Sequence, residues 1–210
     1  NALFFDIDKN SNKNSDLPHM LPSPKNWKKI ISNLGITNND RIVIYDNSDV
    51  ISSCRCWYMF LYFGHDPKLV HILDGGFEKW VKENRMESNN IFKIKKSNYL
   101  VNENYNLVKN LNEVKHNLKS NEFQIIDGRS RERFEGTAKE PREGLRSGSI
   151  PSSYCLPFRE VLNSNKTFKN ISDLKNIYHK ILGSNKYNNV VFSCGSGITA
   201  CVLALAYSLI

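Results

Sequence analysis

The sequence lacks several features that would assign it to common classes. No apolar run reaches the roughly 18 residues that a membrane-spanning helix needs, so no membrane partner is predicted. No five consecutive residues carry charge of one sign, and basic residues do not alternate with aromatic ones. The net charge of +8 therefore indicates a general attraction for anions, and nucleic acid is not a predicted partner.

Cysteine is scarce, and its spacing does not indicate a metal site. There are five cysteines, an odd number, and the only close pair, Cys54 and Cys56, has C-x-C spacing. Without paired C-x-x-C motifs, neither a metal nor an organic cofactor is predicted. Free thiols favour a reducing compartment, which is the cytoplasm or, if the source is eukaryotic, the mitochondrion.

A secretory signal is also missing, but this carries little weight. The chain starts at Asn1 rather than at a methionine, and it stops at Ile210 inside an apolar helical pattern. We therefore expect that both ends are truncated relative to the full protein.

What is present is an alternation of short β-branched runs with helical patterns, which predicts an α/β fold with mainly parallel sheets. Strands are predicted at 3–7, 41–45, 69–73, 123–126 and 190–193 and near Tyr154. Helices are predicted at 26–34, 52–63, 77–82, 107–118, 173–182 and from 198 onward, with Ser23 as the N-cap of the first. A proline and three glycines break residues 131–148, which are predicted to form a long loop.

The pattern divides the chain into two domains. We predict an N-terminal domain at 1–90, a linker rich in Asn, Lys and Ser at 91–106, and a C-terminal domain at 107–210. Both domains are expected to be mainly parallel sheets flanked by helices, because residues around Asp46 and residues around Cys194 repeat one strand–loop–helix pattern. Since Asp46 replaces the cysteine, the first domain is predicted to be an inactive copy.

The Cys194 loop, residues 194–198, carries the strongest chemical signal. A predicted strand ends in Cys194, Gly195 and Gly197 follow within three residues, and a helix then begins. Glycines let loop amides converge, and the helix N-terminus directs partial positive charge at the same spot. Such a cradle favours the thiolate, which is the nucleophilic form. The alternative is a buried thiol at a strand end beside an ordinary glycine turn.

The ordered motifs resemble the two-domain rhodanese superfamily, in particular the 3-mercaptopyruvate and thiosulfate sulfurtransferases. In the first half the motifs are Phe4-Phe5-Asp6-Ile7-Asp8, His19-Met20-Leu21-Pro22, Tyr45-Asp46, residues 55–60, Phe63-Gly64-His65, and residues 73–77 through Trp80. In the second half they are Asp127-Gly128-Arg129, Arg133-Phe134, Glu140-Pro141-Arg142, residues 148–151 and residues 194–200. The family's opening strand and helix and its closing segment are absent, so we expect two tandem rhodanese-like domains, the first incomplete at its N-terminus and the second at its C-terminus.

The resemblance implies transfer of sulfur in two steps. Cys194 takes sulfur from a small-molecule donor and becomes a persulfide, and a thiol, thioredoxin-like or cyanide acceptor then removes the outer sulfur. The uncharged residues Gly195-Ser196-Gly197 resemble the mercaptopyruvate type, whereas relatives that prefer thiosulfate carry basic side chains there. The residues implied to bind substrate are Arg133, Arg142, Gly195, Gly197, Ile198 and Thr199, with the two arginines as ligands of the substrate carboxylate and carbonyl.

The resemblance also implies a catalytic relay. Ser196 matches a residue that in the mercaptopyruvate group is proposed to align with a histidine and an aspartate of the first domain, which by motif are His19 and Asp8. A Ser–His–Asp relay would help to protonate the leaving enolate. The alternatives are that His19 only closes a turn before Pro22, and that the two arginines only solvate a charged loop.

Three competing functions follow from the same motifs. A cysteine phosphatase or arsenate reductase needs an arginine six positions after the cysteine, and that position is Ala200. A non-catalytic rhodanese-like binding module has no need for Cys194 and its loop. Thiosulfate as the main donor is disfavoured only by the absence of charge in the loop.

Overall fold

The computed structural model describes residues 2–90, 93–183 and 189–210. The chain forms two units, Asn1–Leu107 and Val108–Ile210. Each unit has its own small parallel sheet.

Within the described residues, the first unit holds a two-stranded sheet. Strand β1 (Ile42–Ile44) pairs in parallel with β2 (Val70–Ile72). Parallel strands need a crossover connection, and the helix between these two supplies it. The helices of this unit are α1 (Pro24–Asn33), α2 (Ser53–Tyr62) and α3 (Gly76–Lys82).

The ends of α1 are set by the residues that the sequence indicates. The side chain of Ser23 accepts a hydrogen bond from the amide of Asn26 at 3.3 Å. Pro24 stands in the first turn, where an amide would have no helical partner. Gly35, just beyond the end, has φ +71°, a conformation that glycine adopts without a Cβ clash.

Aromatic side chains from α1 and α2 form the core of the first unit. Trp27 stacks on Phe63 with ring centroids 4.7 Å apart, and it meets the edge of Phe60 at 5.1 Å. All three rings are buried. Burial of each ring stabilises the fold by roughly 1.5–3 kcal/mol, which explains why two helices of ten residues are stable here.

The strand predicted at 3–7 is wrong. Residues 2–6 have no strand partner, and a turn follows in which Asp6 accepts hydrogen bonds from the amides of Lys9 at 2.9 Å and Asn10 at 3.0 Å. An apolar run becomes a strand only if neighbouring backbone satisfies its amides and carbonyls. Phe5 instead anchors the segment by packing against Trp27 at 5.9 Å.

Residues 93–107, which include most of the predicted linker, pack on the first unit. Tyr99 is fully buried, and the amide of Asn102 donates to the carbonyl of Phe63 at 3.1 Å. Residues 91–92 of the predicted linker lie outside the described residues.

The second unit contains a three-stranded parallel sheet in its described part. Strand β3 (Gln124–Asp127) lies between β4 (Tyr154–Cys155) and β5 (Val190–Ser193). Its helices are α4 (Leu111–Ser120), α5 (Arg131–Glu135), α6 (Ile171–Leu182) and α7 (Thr199–Ser208). The prediction of an α/β fold with parallel sheets flanked by helices is confirmed in both units.

Helix α7 is the core helix of the second unit. Val202, Leu203 and Ala206 are fully buried, and the hydroxyl of Tyr178 donates to the carbonyl of Leu203 at 2.7 Å. A Cβ on Gly128, just after β3, would lie 3.2 Å from the Leu203 side chain. This close packing of β3 against α7 fixes where α7 begins, and therefore where the Cys194 loop must end.

Two predictions in the second unit are wrong in detail. Helix α4 begins at Leu111 rather than at 107, because Asn110 caps it and the Glu113 carboxylate accepts a hydrogen bond from the Asn110 amide at 2.8 Å. Helix α5 lies inside the predicted loop at 131–148 and ends at Gly136, with φ +81°. A helix of five residues is too short to show helical periodicity.

Candidate active site

The Cys194 loop folds back on its own sulfur atom. Cys194 directly follows β5, and the amide of Gly197 donates to its Sγ at 3.1 Å. Gly197 has φ +75°, which a residue with a Cβ adopts only with strain. Cys194 is half-buried, so the residue is not sealed inside the unit. The loop therefore combines a partly accessible cysteine with a donor for the negative charge of its sulfur.

The residues after the glycines tie the loop to α7. Ile198 is buried and precedes the helix, and Thr199 is its first residue. The thiol of Cys201 donates to the carbonyl of Gly197 at 3.1 Å. The glycine that points its amide at Cys194 is thus held from its other side by the first turn of the helix.

Arg133 and Arg142 both reach the loop beside the nucleophile. Nη1 of Arg142 donates to the carbonyl of Gly195 at 2.9 Å. A Cβ on Gly195 would lie 3.0 Å from Nη2 of Arg133 and 3.7 Å from Nη2 of Arg142. The structure therefore brings together the cysteine, its glycine neighbours and the two arginines that the sequence motifs single out.

An arginine–carboxylate ladder, formed by Asp127, Arg129, Glu140 and Arg133, holds one of these arginines in place. Arg129 donates to Asp127 at 2.7 Å and to Glu140 at 2.8 Å. Nε of Arg133 donates to the same Glu140 at 3.1 Å, and its Nη2 pairs with the second carboxylate oxygen. Arg133 therefore stands in an orientation set by a two-point contact, which is more restrictive than a single hydrogen bond.

The charges in the ladder are buried and mutually compensated. The side chains of Asp127 and Glu140 are only 3% and 4% exposed. Hydrogen bonds from Arg133 and then from Arg129 lower the pKa of Glu140, while pairing with Asp127 raises the pKa of Arg129. Glu140 is therefore an anion at neutral pH.

Sequence reasoning did not assign a role to Asp127, Arg129 or Glu140. All three stand in the motifs that carry the family resemblance, and Asp127 ends an apolar strand, where a carboxylate needs a cationic partner to be buried. That burial signal was available from the sequence. The identity of the partner was not.

Asp8 and His19 form a pair in the first unit. Nε2 of His19 lies 2.8 Å from Oδ1 of Asp8, and the carbonyl of His19 accepts from Nη2 of Arg55 at 2.7 Å. Asp8 is mostly exposed and His19 is mostly covered. Ser196 belongs to the second unit, in the Cys194 loop. The structure thus brings together two of the three predicted relay residues within one unit.

The corresponding loop of the first unit is occupied by its own carboxylate. Asp46 accepts from the amide of Ser52 at 2.7 Å, from the Ser52 hydroxyl at 2.9 Å and from the hydroxyl of Ser48. These donors face a fixed anion at the place where the second unit has a sulfur. This loop therefore has a carboxylate where the second unit has Cys194, and that carboxylate already engages donors of Ser48 and Ser52.

Within 2–90, 93–183 and 189–210, no three His, Cys, Asp or Glu side chains cluster in a way that could hold a metal ion. In the same ranges no helix combines the length and the hydropathy needed to cross a bilayer.

The chain is similar to several known proteins. It is 37% identical to "Thiosulfate/3-mercaptopyruvate sulfurtransferase 1, mitochondrial" of Arabidopsis thaliana, over 97% of this chain and 59% of that protein. It is 36% identical to the 3-mercaptopyruvate sulfurtransferase of Rattus norvegicus, over 97% of this chain and 68% of that protein. Its fold matches the crystal structure of SseA from Escherichia coli, a 3-mercaptopyruvate sulfotransferase, with a TM-score of 0.84 and 29% identity over 98% of this chain and 76% of that one.

A family model places these similarities in both units. The model for the rhodanese-like domain matches residues 1–83, in the first unit, and residues 110–209, in the second. The chain spans 59% of the length of the Arabidopsis relative, so the match concerns domains and not a whole protein. The chain belongs to the rhodanese-like domain family, of which it carries two copies.

Proposed function

We propose that the protein is a sulfurtransferase in which Cys194 carries sulfur as a persulfide. The thiolate attacks the sulfur of the donor 3-mercaptopyruvate, the carbon–sulfur bond breaks, and the enolate of pyruvate leaves and takes up a proton. An acceptor thiolate or cyanide then attacks the outer sulfur, and the Cys194 thiolate returns. The observation that carries this proposal is the hydrogen bond from the Gly197 amide to Sγ of the half-buried Cys194, at 3.1 Å, since such a donor stabilises both the thiolate and the anionic persulfide.

The two arginines support a donor with a carboxylate. One N–H of Arg142 donates to the Gly195 carbonyl. A guanidinium has five N–H donors, so four more can bind a carboxylate. With Arg133 at the same glycine, the loop has positive charge next to the sulfur although its own residues are uncharged. The names of the Arabidopsis and rat relatives include 3-mercaptopyruvate. Thiosulfate as the main donor is the alternative, because the Arabidopsis name includes it as well.

A third possible function is that of a non-catalytic binding module, and the contents of the two loops argue against it. The first unit shows what an inactive loop looks like in this chain, with Asp46 filling it. In the second unit the corresponding position is Cys194, with the Gly197 amide and both arginines beside it.

Thiol chemistry indicates which molecules could accept the outer sulfur and in which compartment the protein would work. A small thiol, a thioredoxin-like protein or cyanide can take the outer sulfur, since each presents a nucleophile to it. All five cysteines are free thiols in the structure, which fits the cytoplasm or, as for the relative from Arabidopsis, the mitochondrion.

The relay of Asp8, His19 and Ser196 is a further part of the proposal. Its role is to supply the proton that the pyruvate enolate takes up, with Asp8 orienting the imidazole. What supports it is the 2.8 Å contact between Asp8 and His19 and the position of Ser196 two residues after the nucleophile.

Replacement of the nucleophile tests the sulfurtransferase proposal. Cys194→Ser should lower pyruvate release from 3-mercaptopyruvate by at least about 1,000-fold, because an alcohol cannot carry the sulfur as a persulfide. The assay compares kcat/KM for 3-mercaptopyruvate and thiosulfate in parallel, and mass spectrometry reports the persulfide. Cys155→Ser, at a half-buried thiol outside the loop, is the control. Substantial turnover by Cys194→Ser would overturn the mechanism.

A histidine variant tests the relay. His19→Ala should lower kcat for 3-mercaptopyruvate by roughly 100-fold with little change in KM, since proton delivery acts on the leaving group and not on binding. His116→Ala, at an exposed histidine, should leave kcat unchanged. An unaltered kcat in His19→Ala would make His19 a residue of the turn only.

A further inference from the structure

The charge next to Cys194 is a balance between three guanidinium groups and two carboxylates. Arg129, Arg133 and Arg142 supply the positive charges, and Asp127 and Glu140 the negative ones. The two carboxylate side chains are almost completely buried, so water screens their charges poorly. One positive charge is therefore left over.

The pairing shows which arginine carries the excess charge. Asp127 compensates Arg129, and Glu140 compensates Arg133 through contacts to both of its oxygens. Arg142 makes no ion pair with any described residue, and its guanidinium contacts only the carbonyl dipole of Gly195. Arg142 is thus the cation that no described carboxylate compensates. Arg133 can direct hydrogen bonds at a donor, but Glu140 cancels most of its charge.

The loop itself carries no charge at the position after Cys194, which is Gly195. A side chain there would begin 3.0 Å from Nη2 of Arg133, so the guanidinium would have to give way slightly. In this chain the positive charge next to the sulfur therefore comes from the arginines and is reduced by their carboxylate partners.

From this balance we infer that Glu140 is a positioning residue that sets the donor preference by charge. It cancels Arg133, so that the groups around the Cys194 thiolate offer the donor one net positive charge, which suits a donor with one negative charge, such as the carboxylate of a 2-oxo acid. A dianion such as thiosulfate would keep one charge unpaired. This inference rests on the proposed sulfur transfer for its substrates, but the charge balance itself belongs to the structure.

Neutralising Glu140 should move the preference toward dianions. Glu140→Gln keeps the shape of the side chain and leaves two net positive charges in the site. The ratio of kcat/KM for thiosulfate to kcat/KM for 3-mercaptopyruvate should rise about 10-fold, because one more charge of the dianion is then paired at short range. Glu143→Gln removes the same charge from an exposed residue of the same loop and should change the ratio by less than about twofold.

A second variant keeps the charge and protects the test against misfolding. Glu140→Asp shortens the side chain but keeps its negative charge, so the ratio should stay within about twofold of that of the unmodified protein. A purely structural ladder would lower kcat/KM for both donors together and leave the ratio constant in Glu140→Gln as well.

A measurement without turnover separates this inference from the proposed function. Pyruvate and sulfate, a monoanion and a dianion, are tested for protection of Cys194 against the uncharged reagent iodoacetamide. In Glu140→Gln, protection by sulfate should strengthen about 10-fold and protection by pyruvate much less. Equal shifts for both anions, or the same shift in Glu143→Gln, would overturn the inference. If neither donor is turned over but the protection pattern holds, the proposed function fails and the charge balance stands.

Discussion

At the scale of single residues, Gly195 and Gly197 serve different purposes. Gly197 is needed for its positive φ of 75°, which turns its amide toward the sulfur of Cys194. Gly195 is needed for the space that a side chain would take from Arg133. Glycine is thus required once for backbone conformation and once for the approach of a guanidinium.

The contact between Arg142 and the loop gives a prediction at this scale. Arg142→Ala should raise KM for 3-mercaptopyruvate by about 10- to 100-fold, because a charge-assisted hydrogen bond to a carboxylate contributes roughly 1.5–3 kcal/mol. The value of kcat should change much less. Arg146→Ala, at an exposed arginine of the same loop, is the control. A KM equal to that of the unmodified protein would remove the proposed role of Arg142.

At the scale of elements, caps and core contacts decide where helices begin. Helix α4 starts after Asn110, whose side chain accepts from the amides of Asn112 at 2.9 Å and Glu113 at 3.0 Å. The apolar pattern that suggested a start at 107 includes Leu107, which belongs to a short turn of the first unit. Capping residues were the better signal, because they satisfy amides that the helix itself leaves without partners.

Removal of this cap should destabilise the second unit measurably. Asn110→Ala should lower the free energy of unfolding by about 1 kcal/mol, the usual contribution of an N-cap side chain. Asn112→Ala, on the exposed face of α4, should be neutral or slightly stabilising because alanine favours the helix. Urea unfolding followed by circular dichroism measures both. Equal effects of the two substitutions would contradict the capping role.

At the scale of the whole molecule, one domain pattern occurs twice with different loop contents. Both units place a loop and a helix after a parallel strand. In the first unit, Asp46 accepts a hydrogen bond from the amide of Ser52 in its loop. In the second unit, Cys194 accepts one from the amide of Gly197. The fold therefore tolerates either an internal anion or a reactive sulfur at the same point, and only the second leaves room for chemistry.

The net charge of +8 also acts at the scale of the whole molecule. Iodoacetate, an anion, should alkylate Cys194 faster relative to neutral iodoacetamide at about 10 mM salt than at about 500 mM, with the ratio falling several-fold. The reason is that the screening length drops from roughly 30 Å to below 8 Å over this range. Mass analysis of the peptide containing Cys194 gives both rates. A ratio independent of salt would show that the excess charge does not reach the site.

Much of the fold was predictable because it depends on local pattern. Strands β1 to β5 and most helices were predicted from β-branched runs, from helical spacing of apolar residues and from glycines that end helices. The failures, at residues 3–7 and in α5, have different causes. A strand needs a partner that local sequence does not name, and a very short helix leaves no periodicity to read.

The sequence by itself determined the α/β class, the place of Cys194 after a strand and the glycines around it, because these depend on residues next to each other in the chain. The tertiary structure alone decided that Arg142 meets Gly195 across 53 positions of sequence and that Glu140 is buried between Arg129 and Arg133. Such contacts join residues that lie far apart in the sequence and meet only in the folded unit. The strength of their charges depends on burial, which only the folded chain creates.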